Sequence, residues 1–143
     1  MFSSFRLGKF LAVFAASFIL VGCGRETYPV TGQIEMKDGS SPKELAGYGI
    51  SFDSHEMKVS AIGTIQADGS FELGTTKPND GAKLGKYKVI ISPPLSDNPD
   101  KQQTKSILLD RYSDLEKTDL SAVVEAKTNN FTFTVERAKR TKK

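Results

Sequence analysis

From Val30 onward, apolar residues recur at every second position and are interrupted every few residues by Gly, Pro, Asn or Asp. A period of two lays successive side chains on opposite faces of an extended strand, and the interruptions mark turns. The chain is thereby held to short strands. Val30, Gly32, Ile34 and Met36 share one face of a first strand, with Thr31, Gln33 and Glu35 on the other. Asp38-Gly39 closes it with a dipeptide that tolerates the positive φ of tight turns. Ile50 and Phe52 mark a second strand over residues 48–53, and a third covers residues 59–65. Ala67-Asp68-Gly69-Ser70 is a hairpin signal leading into Phe71-Glu72-Leu73.

A fifth strand, residues 86–92, carries a continuous apolar run and is expected centrally, covered on both faces or nearly so. Pro93-Pro94 stops it, because proline fixes φ and removes a backbone donor. Residues 95–104 are polar, contain Pro99, and read as a long surface loop. Two strands close the pattern, residues 120–125 and 131–135, joined by a turn at Thr128-Asn129-Asn130; Phe131, Phe133 and Val135 face inward. Seven short strands over about 110 residues predict an all-β fold, an antiparallel β-sandwich. The one helical candidate is residues 106–117, where Ile107, Leu108, Tyr112 and Leu115 are loosely periodic; a single turn or an extended crossing fits equally.

Ahead of the strands stands a different kind of segment. Arg6 and Lys9 precede an apolar run of 12 residues, 10–21, and no acidic residue occurs before Glu26. That is the build of a secretory signal, and the run falls short of the ~20 residues a spanning helix needs. Leu20-Val21-Gly22-Cys23 then resembles the lipobox of bacterial lipoproteins, in which the cysteine is lipidated and becomes the first mature residue. Cys23 is the single cysteine, so it cannot close a disulfide within the chain. A conventional cleavage would leave it as a bare thiol in an oxidising compartment, which is chemically unfavourable. An uncleaved N-terminal anchor helix is the other alternative. The resemblance implies a diacylglycerol on Cys23, residues 1–22 as signal peptide, residues 23–27 as a lipidated start and short tether, and a location in the cell envelope. The membrane is either the outer membrane or the outer face of the cytoplasmic membrane. Gly24 in place of Asp leans toward the outer membrane.

The formal charge of +3 conceals an uneven distribution. Without the leader's Arg6 and Lys9, 18 basic residues face 17 acidic ones, and five of the basic ones lie in the last seven residues. Residues 23–136 therefore carry a net −4, and the basicity sits in a tail, residues 137–143. The tail could meet an anionic surface or simply be solvated. It has no interleaved aromatics to stack on bases, so no nucleic-acid partner is expected.

Residues 28–136 resemble a known family. Tyr28-Pro-Val-Thr-Gly-Gln-Ile, Ala67-Asp-Gly-Ser-Phe-Glu-Leu and Gly85-Lys-Tyr-Lys-Val are similar to the carboxypeptidase regulatory-like domain, a transthyretin-like, immunoglobulin-like seven-stranded sandwich. Arg111-Tyr-Ser-Asp-Leu-Glu-Lys-Thr-Asp-Leu-Ser-Ala, followed by Asn130-Phe-Thr-Phe, is similar to a subgroup of small bacterial lipoproteins. Asp119 departs from the small or turn-forming residue common there. The resemblance implies a fold and an envelope location, without an established chemistry.

Few residues offer reactive chemistry. His55, in Asp53-Ser54-His55-Glu56, is the single histidine, and a zinc site needs three or four ligands, typically His or Cys. Asp110, Asp114, Glu116 and Asp119 could be imagined around calcium, but the spacing matches no calcium loop and Lys105, Arg111 and Lys117 stand among them. A Ser-His-Asp hydrolase would have to recruit His55, and no Gly-x-Ser-x-Gly elbow exists. Hydroxyisourate hydrolases of transthyretin-like fold use several His and Arg residues and a Tyr-Arg-Gly-Ser ending, which this chain lacks. Trp is absent, five of nine Phe lie in the leader, and only Tyr28, Tyr48 and Tyr112 remain as surface rings for a sugar. The expectation is a non-enzymatic, lipid-anchored envelope protein with no cofactor or metal. Its sandwich would be a structural or protein-interaction module, with a glycan- or calcium-binding module as the alternative.

Overall fold

The computed structural model describes residues 26–95 and 105–139. Leu20, Val21, Gly22 and Cys23 lie outside the described residues with the rest of the leader, as do most of the polar loop and the last four residues. The strands are β1 (Val30–Met36), β2 (Gly49–Ser54), β3 (Val59–Thr64), β4 (Ser70–Glu72), β5 (Gly85–Ser92), β6 (Ser121–Val124) and β7 (Asn129–Val135). They form a three-stranded sheet in the order β4-β1-β7 and a four-stranded sheet in the order β3-β2-β5-β6. The all-β architecture expected from the alternation is present, and strand ends fall within two residues of those read from sequence.

The pairing departs from expectation at one place. β1 and β7 run parallel for seven residues, from Val30 opposite Asn129 to Met36 opposite Val135, while the other four pairings are antiparallel. An antiparallel neighbour follows naturally from a tight turn, and no turn joins β1 to β7. β6 ends at the end of the sandwich where β1 begins. Residues 125–128 cross to the other sheet there, so β7 starts beside Val30 and must run the same way.

Alternating side chains from both sheets make one core. Val30, Ile34 and Met36 of β1 are buried, with Ile50 and Phe52 of β2 and Tyr87, Val89 and Ile91 of β5. Phe52 lies at the centre, its ring centroid 5.6 Å from Phe131, 5.9 Å from Phe133, 6.0 Å from Tyr87 and 6.3 Å from Phe71. These tilted and edge-on separations are those aromatic pairs prefer. Gly32 makes the arrangement possible, because it lies opposite both Phe71 and Phe131 in register. A Cβ there would come within 2.4 Å of Phe131 O and of Phe71 Cζ. β5 is an interior strand, yet its outward residues Lys86 and Lys88 are exposed and Ile90 half-buried, so one face is covered rather than two.

Residues 106–117 take the extended crossing and single turn rather than the helix: Leu108 bridges to Arg137 in extended conformation, and one 3-10 turn follows at Asp110–Ser113. Two expectations change. Tyr48 and Tyr112 are 4% and 1% exposed, so they are core residues and not surface rings. Asn129 is buried as the first residue of β7 rather than exposed in a turn.

The registers give the sandwich two unlike ends. The proximal end carries the starts of β1, β5 and β7 and the turns at residues 55–58 and 125–128. The chain enters there, with Tyr28 exchanging both backbone hydrogen bonds with Ala82 at 2.8 and 2.9 Å. The distal end carries residues 37–48, the turn before β4, and the 3-10 turn at Asp110–Ser113.

Candidate functional site

At the proximal end, Asn129 ties three segments together. Its side-chain oxygen accepts from Glu125 N at 2.9 Å, and its amide nitrogen donates to Lys127 O at 2.6 Å and Glu125 O at 3.1 Å. Its backbone N–H donates to Pro29 O at 2.9 Å. Buried amides are tolerated when satisfied in this way, and here the bonds fix the 125–128 turn against the entering chain.

The same end presents apolar side chains to solvent. Met57, Leu84 and Val123 are 36%, 45% and 53% exposed. Leu84 adjoins Gly85, whose Cβ position lies 2.5 Å from Met57 Cε, and Val123 adjoins Val124, the partner of Gly85 in the sheet. All three lie at the Gly85 end of the larger sheet, Val123 on its outer face opposite Lys86. Lys83, one residue before Leu84, pairs with Glu26 at 2.9 Å, and Lys127 pairs with Glu125 on the neighbouring turn.

A groove of about 890 Å³ opens along one flank, where β3 meets the outer face of the smaller sheet. Thr31, Gln33 and Asn130 form its floor, Ile62 and Thr64 one side, and residues 75–79 the other. Asp80 organises that last wall: its carboxylate accepts from Thr75 N at 2.6 Å, Lys77 N at 3.0 Å and Thr76 N at 3.1 Å. Burial pushes the Asp80 carboxyl up, but the three amides outweigh it and hold it below the ordinary carboxylate range. Gly81, at φ +87°, then lets the chain pass Tyr28 O, which a Cβ would approach to 1.9 Å. Glu72 and Lys77 line the groove without an ion-pair partner among the described residues.

The distal end is charged and cross-tied. Tyr112 Oη accepts from Arg111 Nη2 at 2.8 Å and from Glu136 N at 3.2 Å. The Arg111 guanidinium also reaches Glu136 at 2.9 Å and Asp119 at 3.6 Å, and stacks over the Tyr112 ring at 4.8 Å. The bond to Tyr112 raises the Arg111 pKa. Lys37, 3.1 Å from Glu136, holds that carboxyl below its usual range, and Arg111 adds to the effect. Arg137 pairs with Asp38 and Glu44 and bonds Ser40, so this first residue of the basic tail belongs to the folded body.

The residues singled out from sequence are scattered by the fold. His55 is exposed on the β2–β3 turn. Of the four loop acids, Asp114 pairs with Lys117 at 2.6 Å and Asp119 with Arg111, and among the described residues none joins a group arranged to hold a metal. Lys117 holds the Asp114 carboxyl down, and Asp114 raises Lys117 in return. Tyr28 alone of the three candidate rings stays partly exposed. The groove and the apolar cluster went unseen because each is assembled from separate stretches of chain. Asp80 did leave a local trace, standing before Gly81 and five residues after Thr75. No helix among the described residues is long and apolar enough to cross a membrane. No protein-family model matches the chain, and no curated protein or solved structure matches it either.

Proposed function

We propose that this chain is a non-enzymatic, lipid-anchored protein of the cell envelope, held by acylated Cys23, whose β-sandwich serves as a structural or protein-interaction module outside the cytoplasm. The observation that carries this reading is the closeness of Cys23 to the folded body. Glu26 is paired with Lys83 and Tyr28 is bridged to Ala82, so three residues after the cysteine the chain has joined the sandwich. A lipid on Cys23 therefore holds the whole domain at a surface. More than one acyl chain is needed for stable holding, which the lipobox resemblance provides.

The two-sheet, seven-strand arrangement over residues 30–135 supports the carboxypeptidase regulatory-like assignment. In immunoglobulin constant-type domains the first, second, fifth and fourth strands share a sheet. Here β1 lies between β4 and β7, which favours the transthyretin-like form of the resemblance. The polar network residues support a module without chemistry, since Arg111, Glu136 and Asp80 are engaged in holding loops. Labelled palmitate should enter the wild-type chain and be absent from Cys23→Ala; labelling that persists in the variant would overturn the anchoring.

A second reading rests on the groove. Its floor of hydroxyl and amide groups beside a preorganised wall suits a neutral, polar ligand such as a glycan. By mass action, a sugar at about a hundred times its Kd adds about 2.7 kcal/mol to stability. No thermal shift across a panel of oligosaccharides would sink this reading and leave the first intact.

A further inference from the structure

We infer that the proximal end of the sandwich is a membrane-docking face, on which Met57, Leu84 and Val123 enter the lipid headgroup region while Lys58 and Lys86 meet anionic headgroups. The inference rests on the proposed acylation of Cys23 and adds an orientation to it. Three observations carry it. First, the geometry of the tether leaves little freedom. Glu26 is the third residue after Cys23, and a fully extended chain covers at most about 10 Å over that length. Glu26 is fixed to Lys83, next to Leu84. A lipid on Cys23 therefore holds the bilayer surface within about 10 Å of the Glu26 backbone, at the end of the sandwich that carries the apolar residues.

Second, the apolar residues are concentrated. Five large apolar side chains are exposed among the described residues, and three of them lie at this end, Met57 against Gly85, Leu84 before it and Val123 opposite Lys86. Single exposed apolar residues need no explanation, but a cluster next to a tether does. Ile62 and Leu95 lie elsewhere, on the groove and after β5.

Third, the local charge differs from the body's. Residues 23–136 carry a net −4. The proximal end holds Lys58, Lys77, Lys83, Lys86 and Lys127 against Glu26, Asp53, Glu56, Asp80 and Glu125, so it is balanced where the body is acidic. Lys83 and Lys127 are paired with Glu26 and Glu125, and Asp80 is held by backbone amides, leaving Lys58 and Lys86 exposed beside the apolar residues, with Glu56 and Asp53 as the opposing charges. Apolar tips ringed by lysines are the composition that seats a surface at the acyl boundary of an anionic membrane. Docking would also hold the distal end clear of the bilayer, available to a partner.

The test uses the full lipidated chain, whose Cys23 thiol is blocked by lipid, on vesicles of phosphatidylcholine and phosphatidylglycerol that contain a nitroxide-bearing phospholipid. An environment-sensitive fluorophore is placed on Ala126→Cys at the proximal end or on Lys43→Cys at the distal end. Docking predicts quenching and a blue shift at residue 126 and neither at residue 43. Adding Leu84→Asp and Val123→Asp should abolish the blue shift at residue 126 and weaken its quenching while the protein still floats with the vesicles. Equal quenching at both probes, no quenching at residue 126, or a blue shift that survives the two aspartates would overturn the docking face and leave the anchor standing. Failure to float at all would instead retire the anchor, and the docking face with it.

Discussion

Replacing Asn129 tests whether the proximal end is held by one buried amide. In Asn129→Ala three side-chain bonds of 2.6, 2.9 and 3.1 Å are lost. A fourth contact, 3.5 Å to Pro29 O, is too long to count. At about 1 kcal/mol net per bond the sum is about 3 kcal/mol. Glu125 and Lys127 are exposed, so water can recover part of what their backbone groups lose. The expected destabilisation is therefore about 2 kcal/mol, or a fall in Tm of roughly 8 °C for a domain of this size. Asn129→Asp sharpens the test. The carboxylate can still accept from Glu125 N, but it faces the carbonyls of Glu125 and Lys127 with no hydrogen to donate. At neutral pH the Asp variant should thus be less stable than the Ala variant. Its protonated form can donate, so the folded-state pKa is raised and stability returns as the pH falls. Urea melts followed by circular dichroism at neutral and mildly acidic pH measure both effects. If Ala costs under about 0.5 kcal/mol, within the range of ordinary surface changes, or if Asp is the more stable at neutral pH, the account of Asn129 is wrong.

Gly32→Ala should be among the most damaging small substitutions in the core. The added Cβ meets a backbone oxygen and a packed ring at 2.4 Å, so relief requires parting β1 from β7; a loss of about 2 kcal/mol or more in the same urea melts is expected, and a neutral result would refute the close packing. Acid should destabilise the fold through its carboxylates. Ser70 holds Asp68 low, Lys117 holds Asp114 low, Lys37 holds Glu136 low, and the amides of residues 75–77 do the same for Asp80. A carboxyl depressed in the folded state stabilises above its unfolded pKa of about 4, and that contribution is lost as pH falls through the lower folded value. Urea midpoints should hold steady from neutral to about pH 5 and drop below about pH 4; a midpoint that rises in acid would contradict the sign.

Much of this architecture could be read in the chain because strands bury one face and so write a period of two. Val30, Ile34 and Met36, or Phe133 and Val135, declare their side of the sheet locally. Partner choice between β1 and β7 leaves no such mark, since the two lie almost a hundred residues apart and their register depends on everything between. Tyr48 and Tyr112 were hidden for a different reason. They fill the distal end from irregular segments, where no repeat separates a core ring from a surface one, and their burial shows only in what their hydroxyls bind: Ile107 N for Tyr48, Arg111 and Glu136 for Tyr112. Asn129 misled because asparagine favours turns; here it serves one from the first position of the next strand. The apolar cluster drew one residue each from a hairpin turn, a loop and an edge strand, so no window of sequence contains it.

The placement of the basic tail follows from the same topology. β7 begins at the proximal end and runs seven residues to Val135, about 23 Å at 3.3 Å per residue. Arg137 is then fastened at the distal end by Asp38, Glu44 and Ser40. Residues 140–143 can reach at most about 14 Å beyond Lys139. Even folded straight back toward the lipid, their backbone would remain about 9 Å short of the proximal end, close to the Debye length of 8–10 Å at physiological salt. If the proximal end docks, these cations cannot contribute to holding it there, and they face the side where a partner would approach. Truncation after Lys139 should therefore leave the quenching of a probe at residue 126 unchanged at physiological salt, where the gap is screened. A marked loss of quenching on truncation would show that the tail reaches the bilayer, and the assignment of opposite ends to anchor and tail would fall.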